Sequence, residues 1–379
     1  MNSPILVLNC GSSSIKFALY EADGGEVPRR ARWGGKIDRA PDRAAFAELR
    51  SRVDAELRGQ PLAAAVHRVV HGGTRYAAPV RIDAAVLGEL RSFIPLAPLH
   101  QPFALEAISI LLAEAPELPQ VACFDTAFHR TLPQEEQMLP LPYKAWESGM
   151  RRYGFHGLSY EYMAVALAER FGHAARGRTI VAHLGSGASL CAMQDLKSAA
   201  TTMGFSALDG VMMNTRCGAL DPGALLYLMQ VEKLGVDEVA RVLYHESGLR
   251  GVSGIAGGPL PLLEVEGNDP RAKAALALWV RRIVREIGAL TAVLGGLDML
   301  AFTAGIGEHS AELRMRICDA LGWLGVTLDL EANRINASVI SATSSGVRVV
   351  VEPTNEEWIA TSHAAALLRP SMTTEGART

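Results

Sequence analysis

Two glycine- and serine-rich segments of this chain could each bind a phosphate group. Residues 9–14 read Asn-Cys-Gly-Ser-Ser-Ser, and residues 183–189 read His-Leu-Gly-Ser-Gly-Ala-Ser; each follows a short apolar run and precedes another. Turns of this composition place several backbone N–H groups and small hydroxyls at one point, which suits a phosphate. The repeat therefore predicts a duplicated fold with phosphate held between its halves. The alternative is a pair of ordinary β-hairpins with glycine-rich turns.

Two arginines and one histidine could stabilise a phosphoryl group in transfer. Arg68 ends an apolar run just before Gly72-Gly73, and Arg216 shortly precedes the helix start at Asp221-Pro222. A guanidinium can bind a carboxylate or phosphate bidentately, and phosphoryl transfer needs positive charge near the equatorial oxygens. His156 lies in Gly-Phe-His-Gly, which predicts a sterically free imidazole able to donate to such a group. A surface salt bridge for Arg68 and a structural role for His156 are the alternatives.

Carboxylates follow two predicted strands. Asp125 ends one strand, where it could orient Mg²⁺ or a substrate group, or could cap a helix. Glu356 and Glu357 open the last predicted helix, where they could ligate Mg²⁺ or simply complement the helix dipole. A third strand runs into Gly305-Ile-Gly307, a turn suited to close approach of a nucleotide.

Strand and helix patterns alternate along the chain, which predicts an α/β fold. Strands are predicted at 4–9, 15–21, 64–70, 120–124, 179–184, 189–194, 299–303 and 347–351. Helices are predicted from Pro102 to Ala115, from a Ser159 cap to Gly172, from Asp221-Pro222 to Gly235, from Asp269-Pro270 to Gly295-Gly296, and from an Asn355 cap over 356–368. Residues 22–61 read as a loosely specified peripheral segment.

Composition excludes several classes of function. The 379 residues carry 37 Lys and Arg against 40 Asp and Glu, which argues against nucleic-acid binding. No uninterrupted apolar run is long enough to predict a membrane span, and the first residues lack the features of a signal peptide. The five scattered cysteines, with no Cys-x-x-Cys pair, favour reduced thiols and hence a cytoplasmic location.

In their order along the chain, these segments resemble the acetate kinase family from residue 6 to residue 357. The blocks that carry the resemblance are Leu-Val-Leu-Asn at 6–9, His-Arg-Val-Val-His-Gly-Gly at 67–73, Leu-Ala-Pro-Leu-His at 96–100, Phe-Asp-Thr-Ala-Phe-His at 124–129, Tyr-Gly-Phe-His-Gly at 153–157, Thr-Arg-Cys-Gly at 215–218, Phe-Thr-Ala-Gly-Ile-Gly-Glu at 302–308 and Pro-Thr-Asn-Glu-Glu at 353–357. The resemblance implies the duplicated two-domain fold of sugar kinases, actin and heat-shock ATPases, with a ligand cleft between the domains. It implies Mg²⁺-dependent, direct in-line transfer between ATP and acetate, giving acetyl phosphate and ADP.

The resemblance also implies roles for individual residues. Catalytic roles fall on Arg68, Asp125, His156 and Arg216. Substrate binding falls on Arg68, Val70, Leu99, His100, Phe155 and Ala207. Phosphate and nucleotide binding fall on Asn9, Ser12, Ser14, Lys16, His183, Gly185, Gly187, Gly305, Gly307 and His309. Asn9 and Glu356 would bind the metal, Mg²⁺ or alternatively Mn²⁺.

Several positions depart from the family pattern and leave alternatives open. Ala207 replaces a proline of the acyl pocket, which could admit propionate or butyrate. Ser186 replaces an asparagine, His309 another asparagine, and Asn214 a glycine, while residues 253–260 lack the family's nucleoside-contacting Asp and Arg. A different nucleotide or pyrophosphate could therefore be the donor. Two non-family alternatives, a nucleotide-dependent switch and a sugar kinase, are disfavoured because the two arginines and an apolar pocket suit a carboxylate.

The expected organisation completes these predictions. We expect an N-terminal domain of 1–129 plus 358–379 on the carboxylate side, and a C-terminal domain of 130–357 on the nucleotide side. The family also implies a homodimer that acts on small molecules, with no nucleic-acid or membrane partner.

Overall fold

The computed structural model describes residues 3–23 and 26–369, and contacts divide the chain into two units. Unit 1 comprises Met1–Ala127 and Asn355–Thr379, and unit 2 comprises Phe128–Thr354. The strands are β1 (Ser3–Cys10), β2 (Ile15–Ala22), β3 (Trp33–Ile37), β4 (Ala64–Val69), β5 (Val80–Arg81), β6 (Gln120–Phe124), β7 (Arg178–Leu184), β8 (Ala188–Gln194), β9 (Lys197–Thr201), β10 (Met299–Thr303) and β11 (Arg348–Val351). The helices are α1 (Arg43–Leu57), α2 (Ala84–Ser92), α3 (Gln101–Glu114), α4 (Gln134–Gln137), α5 (Tyr143–Glu147), α6 (Gly157–Phe171), α7 (Pro222–Gln230), α8 (Val236–His245), α9 (Gly248–Ser253), α10 (Pro259–Val265), α11 (Pro270–Leu294), α12 (Ala304–His309), α13 (Ala311–Asp319), α14 (Leu330–Arg334) and α15 (Glu356–Leu367).

The two sheets repeat one topology. The sheet of unit 1 has the order β3-β2-β1-β4-β6-β5, and that of unit 2 has the order β9-β8-β7-β10-β11. In unit 1, β1 and β2 form an antiparallel pair, as do β2 and β3, and β1 pairs in parallel with β4. In unit 2, β7, β8, β9 and β10 pair in the same way. A further parallel strand follows in each sheet, β6 in unit 1 and β11 in unit 2. The prediction of a duplicated α/β fold is confirmed.

The last helix returns to unit 1. Asn355 caps α15 by accepting from the backbone N–H of Trp358 at 3.0 Å, as its position in the sequence predicts. The Trp358 indole donates to the carbonyl of Val27 at 2.9 Å, and the guanidinium of Arg29 stacks over the same ring. These contacts fix the first turn of α15, and with it Glu356.

All eight predicted strands are present, but residues 26–61 contain more regular structure than the sequence predicts for the segment 22–61. They contain β3 and the four-turn helix α1, which Asp42 caps by accepting from Ala45 N–H at 2.7 Å. The prediction was wrong because the arginine-rich composition of the segment obscures the buried stripe of Phe46, Leu49 and Val53 in α1.

Two helix boundaries were also wrong. The helix predicted to begin at Ser159 begins at Gly157, because His156 adopts the left-handed conformation at φ 58° and serves as its N-cap. The helix predicted to run from Pro222 to Gly235 ends at Gln230, and Gly235 instead begins α8 as its N-cap.

Four of the five thiols lie in the cores of the two units. Cys10 and Cys123 are buried in unit 1, Cys191 and Cys318 in unit 2, and Cys217 is half-buried. Burial raises the pKa of Cys10, Cys191 and Cys318 to about 12. Among the described residues, no helix combines the length and the apolarity needed to cross a bilayer.

Candidate active site

In unit 1, Arg68 lies at the centre of an ion-pair cluster at the ends of two parallel strands. Its Nε contacts both carboxylate oxygens of Asp125, at 3.0 and 3.1 Å, and Nη2 donates to Asp125 Oδ2 at 2.8 Å. Nη1 lies 2.5 Å from Oε2 of Glu356. Pairing of β4 with β6 brings Arg68 beside Asp125, and the start of α15 supplies Glu356. Arg68 is therefore in direct contact with both Asp125 and Glu356.

Burial alone would destabilise the cation of Arg68, but its two carboxylate partners outweigh that cost and raise its pKa. The side chain is 19% exposed, against 4% for Asp125 and 16% for Glu356. Burial, and then the neighbouring carboxylate of Glu356, raise the pKa of Glu357. The guanidinium is thus a permanent, oriented cation that remains partly accessible, which suits recognition of an anionic group.

The first glycine- and serine-rich segment forms the turn between β1 and β2. Gly11 N–H donates to the carbonyl of Ser14 at 2.9 Å, and Asn9 pairs with Lys16 across the two strands. Ser12 and Lys16 are exposed, while Asn9 and Ser14 are half-buried. The predicted phosphate-binding residues of this unit therefore lie on one hairpin, with a cation beside the turn.

The segment after β4 is tied to the start of α3 by a buried glutamine. Gln101 accepts from the backbone N–H of His71 at 3.1 Å and donates to the carbonyl of His71 at 3.0 Å. Val70 precedes His71, and Leu99 and His100 precede Gln101, so these two hydrogen bonds hold together the segments that carry three predicted substrate-binding residues. All three are half-buried.

In unit 2, the second glycine-rich turn lies against a histidine and an arginine. A methyl group at Gly187 would lie 3.3 Å from His156 Nε2 and 3.8 Å from Arg216 Nη1. Across the turn, Gly185 N–H donates to the carbonyl of Gly187 at 3.1 Å, and a methyl group at Gly185 would lie 3.8 Å from His183 Nε2. Three separate segments, distant in sequence, thus place cationic or N–H donor groups at one turn.

The imidazole of His156 is held rather than sterically free, contrary to the prediction. Its ring stacks on that of His183, with centroids 4.2 Å apart and planes at 15°. Its Nδ1 lies 2.8 Å from Ser189 Oγ. The nearby Gly154 leaves room for a different side chain, because a Cβ there would lie 2.4 Å from the ring of His129.

His129 fixes the backbone just before His156. Its Nε2 lies 2.9 Å from the carbonyl of Phe155 and its Nδ1 lies 2.8 Å from Ser198 Oγ. Burial lowers the pKa of His129 to about 4, so the ring is neutral and has one N–H. A carbonyl only accepts, so Nε2 carries the proton and Ser198 donates to Nδ1. Phe155 is buried, and His156 follows it with a defined orientation.

Arg216 is oriented by the segment that holds Ala207. Its Nη1 donates to the carbonyl of Ala207 at 2.9 Å. Burial lowers the pKa of Arg216, an effect that Tyr244 partly offsets. Asn214, two residues earlier, lies close enough to Gly258 that a Cβ on that glycine would sit 3.0 Å from Asn214 Nδ2. Oδ1 of Asn214 is buried and has no hydrogen-bond partner among residues 3–23 and 26–369.

The Gly305-Ile-Gly307 segment is helical, not the turn that the sequence predicted. It lies in α12, which begins directly after β10, and His309 at its end is 75% exposed. Buried Arg314 donates from Nη1 to the carbonyls of Gly307 and Glu308 at 2.8 and 2.9 Å. These bonds satisfy carbonyls that the end of a short helix leaves open, and they fix the segment without using a carboxylate.

The described part of the chain contains no cluster of three or more His, Cys, Asp or Glu that could hold a metal by itself. Mg²⁺ is usually bound by one or two carboxylates together with substrate phosphates and water. Glu356 offers one carboxylate oxygen beyond the one that contacts Arg68, and Asn9 offers an amide oxygen in the same unit. The donor chemistry therefore fits a metal that is carried by a phosphate substrate.

Sequence reasoning missed the residues that hold the predicted site in place. Gln101, His129, Ser159, Tyr160, Ser189, Arg314 and Thr354 each bond a predicted site residue or the segment that carries it. Gln101, His129 and Ser189 lie in or beside the motifs that drew attention, but no local pattern reveals their partners.

Comparison with known proteins gives matches over nearly the whole chain. Residues 41–362 match the model of the acetokinase family. The acetate kinase of Rhodopseudomonas palustris (strain ATCC BAA-98 / CGA009) is 46% identical, with 96% of this chain and 98% of the relative covered. That of Rickettsia felis is 41% identical, with 95% and 98% covered.

Solved structures agree with these relatives. The crystal structure of Porphyromonas gingivalis acetate kinase matches with a TM-score of 0.85 at 33% identity, covering 97% of this chain and all of that one. A propionate kinase from Francisella tularensis matches with a TM-score of 0.86 at 33% identity, covering 95% and 98%.

Proposed function

This chain belongs to the acetokinase family, and we propose that it catalyses reversible, Mg²⁺-dependent phosphoryl transfer between ATP and acetate, giving acetyl phosphate and ADP. The resemblance seen in the sequence is confirmed by the family match. The observation that carries the proposed chemistry is the position of Gly187, where His156 Nε2 and Arg216 Nη1 both approach one glycine of a phosphate-type turn.

In unit 2, the proposed roles concern charge on the phosphoryl group. In-line phosphoryl transfer spreads negative charge over three equatorial oxygens, and positioned donors stabilise it. Arg216 supplies a cation and His156 an imidazole at the same turn, while Gly185 and Gly187 let the backbone approach closely. Gly305 and Gly307 at the start of α12, with His309, are proposed to contact the nucleotide.

In unit 1, Arg68 is proposed to bind the carboxylate acceptor. Asp125 and Glu356 hold its guanidinium in a fixed plane, which lowers the entropic cost of bidentate binding. A carboxylate is already a nucleophile, so the reaction needs no strong general base. Glu356 and Asn9 are proposed to hold Mg²⁺, which would neutralise phosphate charge when the nucleotide is bound, while Ser12, Ser14 and Lys16 contact phosphate.

Acetate is the acceptor that we propose. In unit 1, Val70 and Leu99 are proposed to receive its methyl group, and His100 to lie beside the acceptor. One methylene in an apolar pocket changes specificity by only about 1–3 kcal/mol. Propionate should therefore be a slower substrate rather than an inert one.

A hydroxylamine trap for acyl phosphate tests the proposal. Purified protein is given acetate, propionate or butyrate, each with Mg-ATP or with Mg-pyrophosphate. We expect hydroxamate from acetate with Mg-ATP, loss of product with EDTA, and loss of more than 100-fold in kcat for Arg216→Gln. Arg281→Gln, an exposed arginine of α11, is the matched control and should retain full activity. Absence of acyl phosphate from every carboxylate with ATP would refute the proposal.

The assembly and the location of the protein are a separate part of the proposal. We propose a homodimer in the cytoplasm, supported by the family resemblance and by reduced, mostly buried thiols. Light scattering coupled to size-exclusion chromatography tests the first: a mass near 40.6 kDa rather than twice that value would refute it. Cell fractionation tests the second.

A further inference from the structure

Each of the two stacked imidazoles in unit 2 receives a hydroxyl group at Nδ1, and each of those hydroxyls contacts another. Ser189 Oγ lies 2.8 Å from His156 Nδ1 and 2.6 Å from the phenol oxygen of Tyr160. Ser159 Oγ lies 2.8 Å from His183 Nδ1 and accepts from the hydroxyl of Thr354 at 2.9 Å. Two short hydroxyl chains thus end on the two histidines.

The direction of the first chain follows from counting protons. Tyr160 and Ser189 are both fully buried, so each hydroxyl proton needs a protein acceptor. Within the described residues, Ser189 Oγ is the one hydrogen-bond partner of the Tyr160 phenol, so Tyr160 donates and Ser189 accepts. The proton of Ser189 then has His156 Nδ1 as its acceptor. A neutral imidazole that accepts at Nδ1 carries its proton on Nε2.

The second chain runs the same way. Thr354 donates to Ser159, which is fully buried, so the hydroxyl proton of Ser159 needs an acceptor of its own. Among the described residues, His183 Nδ1 is the acceptor available to it. His183 therefore also carries its proton on Nε2, the atom that lies near Gly185.

We propose that Tyr160 and Ser189 are positioning residues that fix His156 as its Nε2–H tautomer, so that it presents a hydrogen-bond donor to a phosphoryl oxygen at Gly187. Thr354 and Ser159 do the same for His183 at Gly185. The role toward phosphoryl oxygens rests on the proposed function; the tautomers do not.

The stacking of the rings is consistent with two neutral donors. Ring centroids only 4.2 Å apart would place two imidazolium charges in direct repulsion. Two neutral rings avoid that cost, and each still offers one N–H. Both histidines then act by donating a hydrogen bond to a phosphate oxygen, and neither has to gain or lose a proton during transfer.

Long-range ¹H–¹⁵N correlation spectra of the intact protein labelled with [¹⁵N]histidine test the tautomers directly. His156→Asn and His183→Asn assign the signals. We expect an unprotonated Nδ1 and a protonated Nε2 for both rings at pH 8. Ser189→Ala should convert the His156 signals to a tautomer mixture and leave those of His183 in place. Tyr160→Phe removes the phenol that donates to Ser189. Its control is Tyr143→Phe, which removes an exposed phenol.

Kinetics then test the positioning role. We expect Ser189→Ala to lower kcat about tenfold with the KM for ATP changed less than twofold, and Ser189→Thr, which keeps the hydroxyl, to restore most of kcat. A protonated Nδ1 on His156 in the wild-type protein, or a Ser189→Ala variant with unchanged spectra and kcat, would overturn the proposal. The expected tautomers in a protein that makes no acyl phosphate would refute the proposed function and leave the tautomer assignment intact.

Discussion

The most direct test of the proposed phosphoryl site is the addition of one methyl group at Gly187. This glycine has a backbone conformation that alanine can adopt, since its φ is not positive. The new Cβ would lie 3.3 Å from His156 Nε2 and 3.7 Å from His156 Cε1, with Arg216 Nη1 at 3.8 Å. Gly187→Ala therefore presses on one imidazole and leaves the strands of the hairpin unchanged.

The magnitude follows from what holds that imidazole. A contact of 3.3 Å is tighter than ordinary van der Waals contact and must relax by a few tenths of an ångström. His183 stacks on one face of the ring and Ser189 holds Nδ1 at 2.8 Å, so the ring can move only by weakening one of these contacts. Because a misplacement of 1 Å can cost about 100-fold, we expect kcat to fall about tenfold, or about 1.4 kcal/mol in the activation barrier.

The assay is steady-state acyl phosphate formation with acetate and Mg-ATP, together with thermal unfolding. Gly288→Ala is the matched control: this glycine lies inside α11 with nothing within 4 Å of an added Cβ, so it should leave kcat unchanged and slightly raise Tm. A Gly187→Ala enzyme with wild-type kcat and Tm would show that the approach of His156 to Gly187 has no part in the reaction.

Three further predictions concern stability and pH. Asp125→Asn should lower the free energy of unfolding in urea by about 2 kcal/mol, because it removes the charge that faces the half-buried guanidinium of Arg68; an unchanged urea midpoint would contradict this. Burial lowers the pKa of His67, His71 and His129 to about 4, below their ordinary value of 6.5, so these groups bind protons only on unfolding as the pH falls. Stability should therefore be constant above pH 6.5 and fall as the pH falls from 6.5 to 4, with a slope of about 1.4 kcal/mol per pH unit for each proton taken up on unfolding. His129→Asn removes one of these groups, so its slope should be lower by the contribution of about one proton. An equal slope in the variant would refute the assignment. Arg314→Met should cost about 3 kcal/mol, because the carbonyls of Gly307 and Glu308 lose their donor, and should raise the KM for ATP; a variant with wild-type stability would show that these carbonyls find other partners.

The sequence predicted the strands and the sites at their ends for a physical reason. The buried central strands of these two mixed sheets are short apolar runs, and β1, β4, β6, β7 and β10 all have that form. Residues at the carboxyl ends of neighbouring parallel strands meet at one edge, so Arg68 and Asp125 could be expected together from the pattern alone.

What the sequence did not predict depends on contacts between distant residues. α1 was missed because its charged face dominates its composition, although its buried stripe has helical spacing. The ring of His156 was expected to be free because its neighbours in sequence are glycines; its neighbours in space, His183 and Ser189, come from a hairpin about 30 residues away. Tyr160 carries no local signal, since a buried tyrosine on a helix is usually core, and the motif that contains Thr354 does not reveal its contact with Ser159.

Each unit contains a buried thiol whose reactivity can be used to measure the stability of that unit. Cys123 lies on β6 of unit 1 and Cys191 on β8 of unit 2; both strands are flanked by other strands on each side, and both thiols are fully buried. A thiol in that position reacts with an alkylating reagent only while its strand is exposed, so the labelling rate in increasing urea measures the opening free energy of its unit. Mass spectrometry of the labelled peptides would therefore resolve two unfolding free energies in one experiment on the unaltered chain, and would show whether the duplicated halves open together or one at a time.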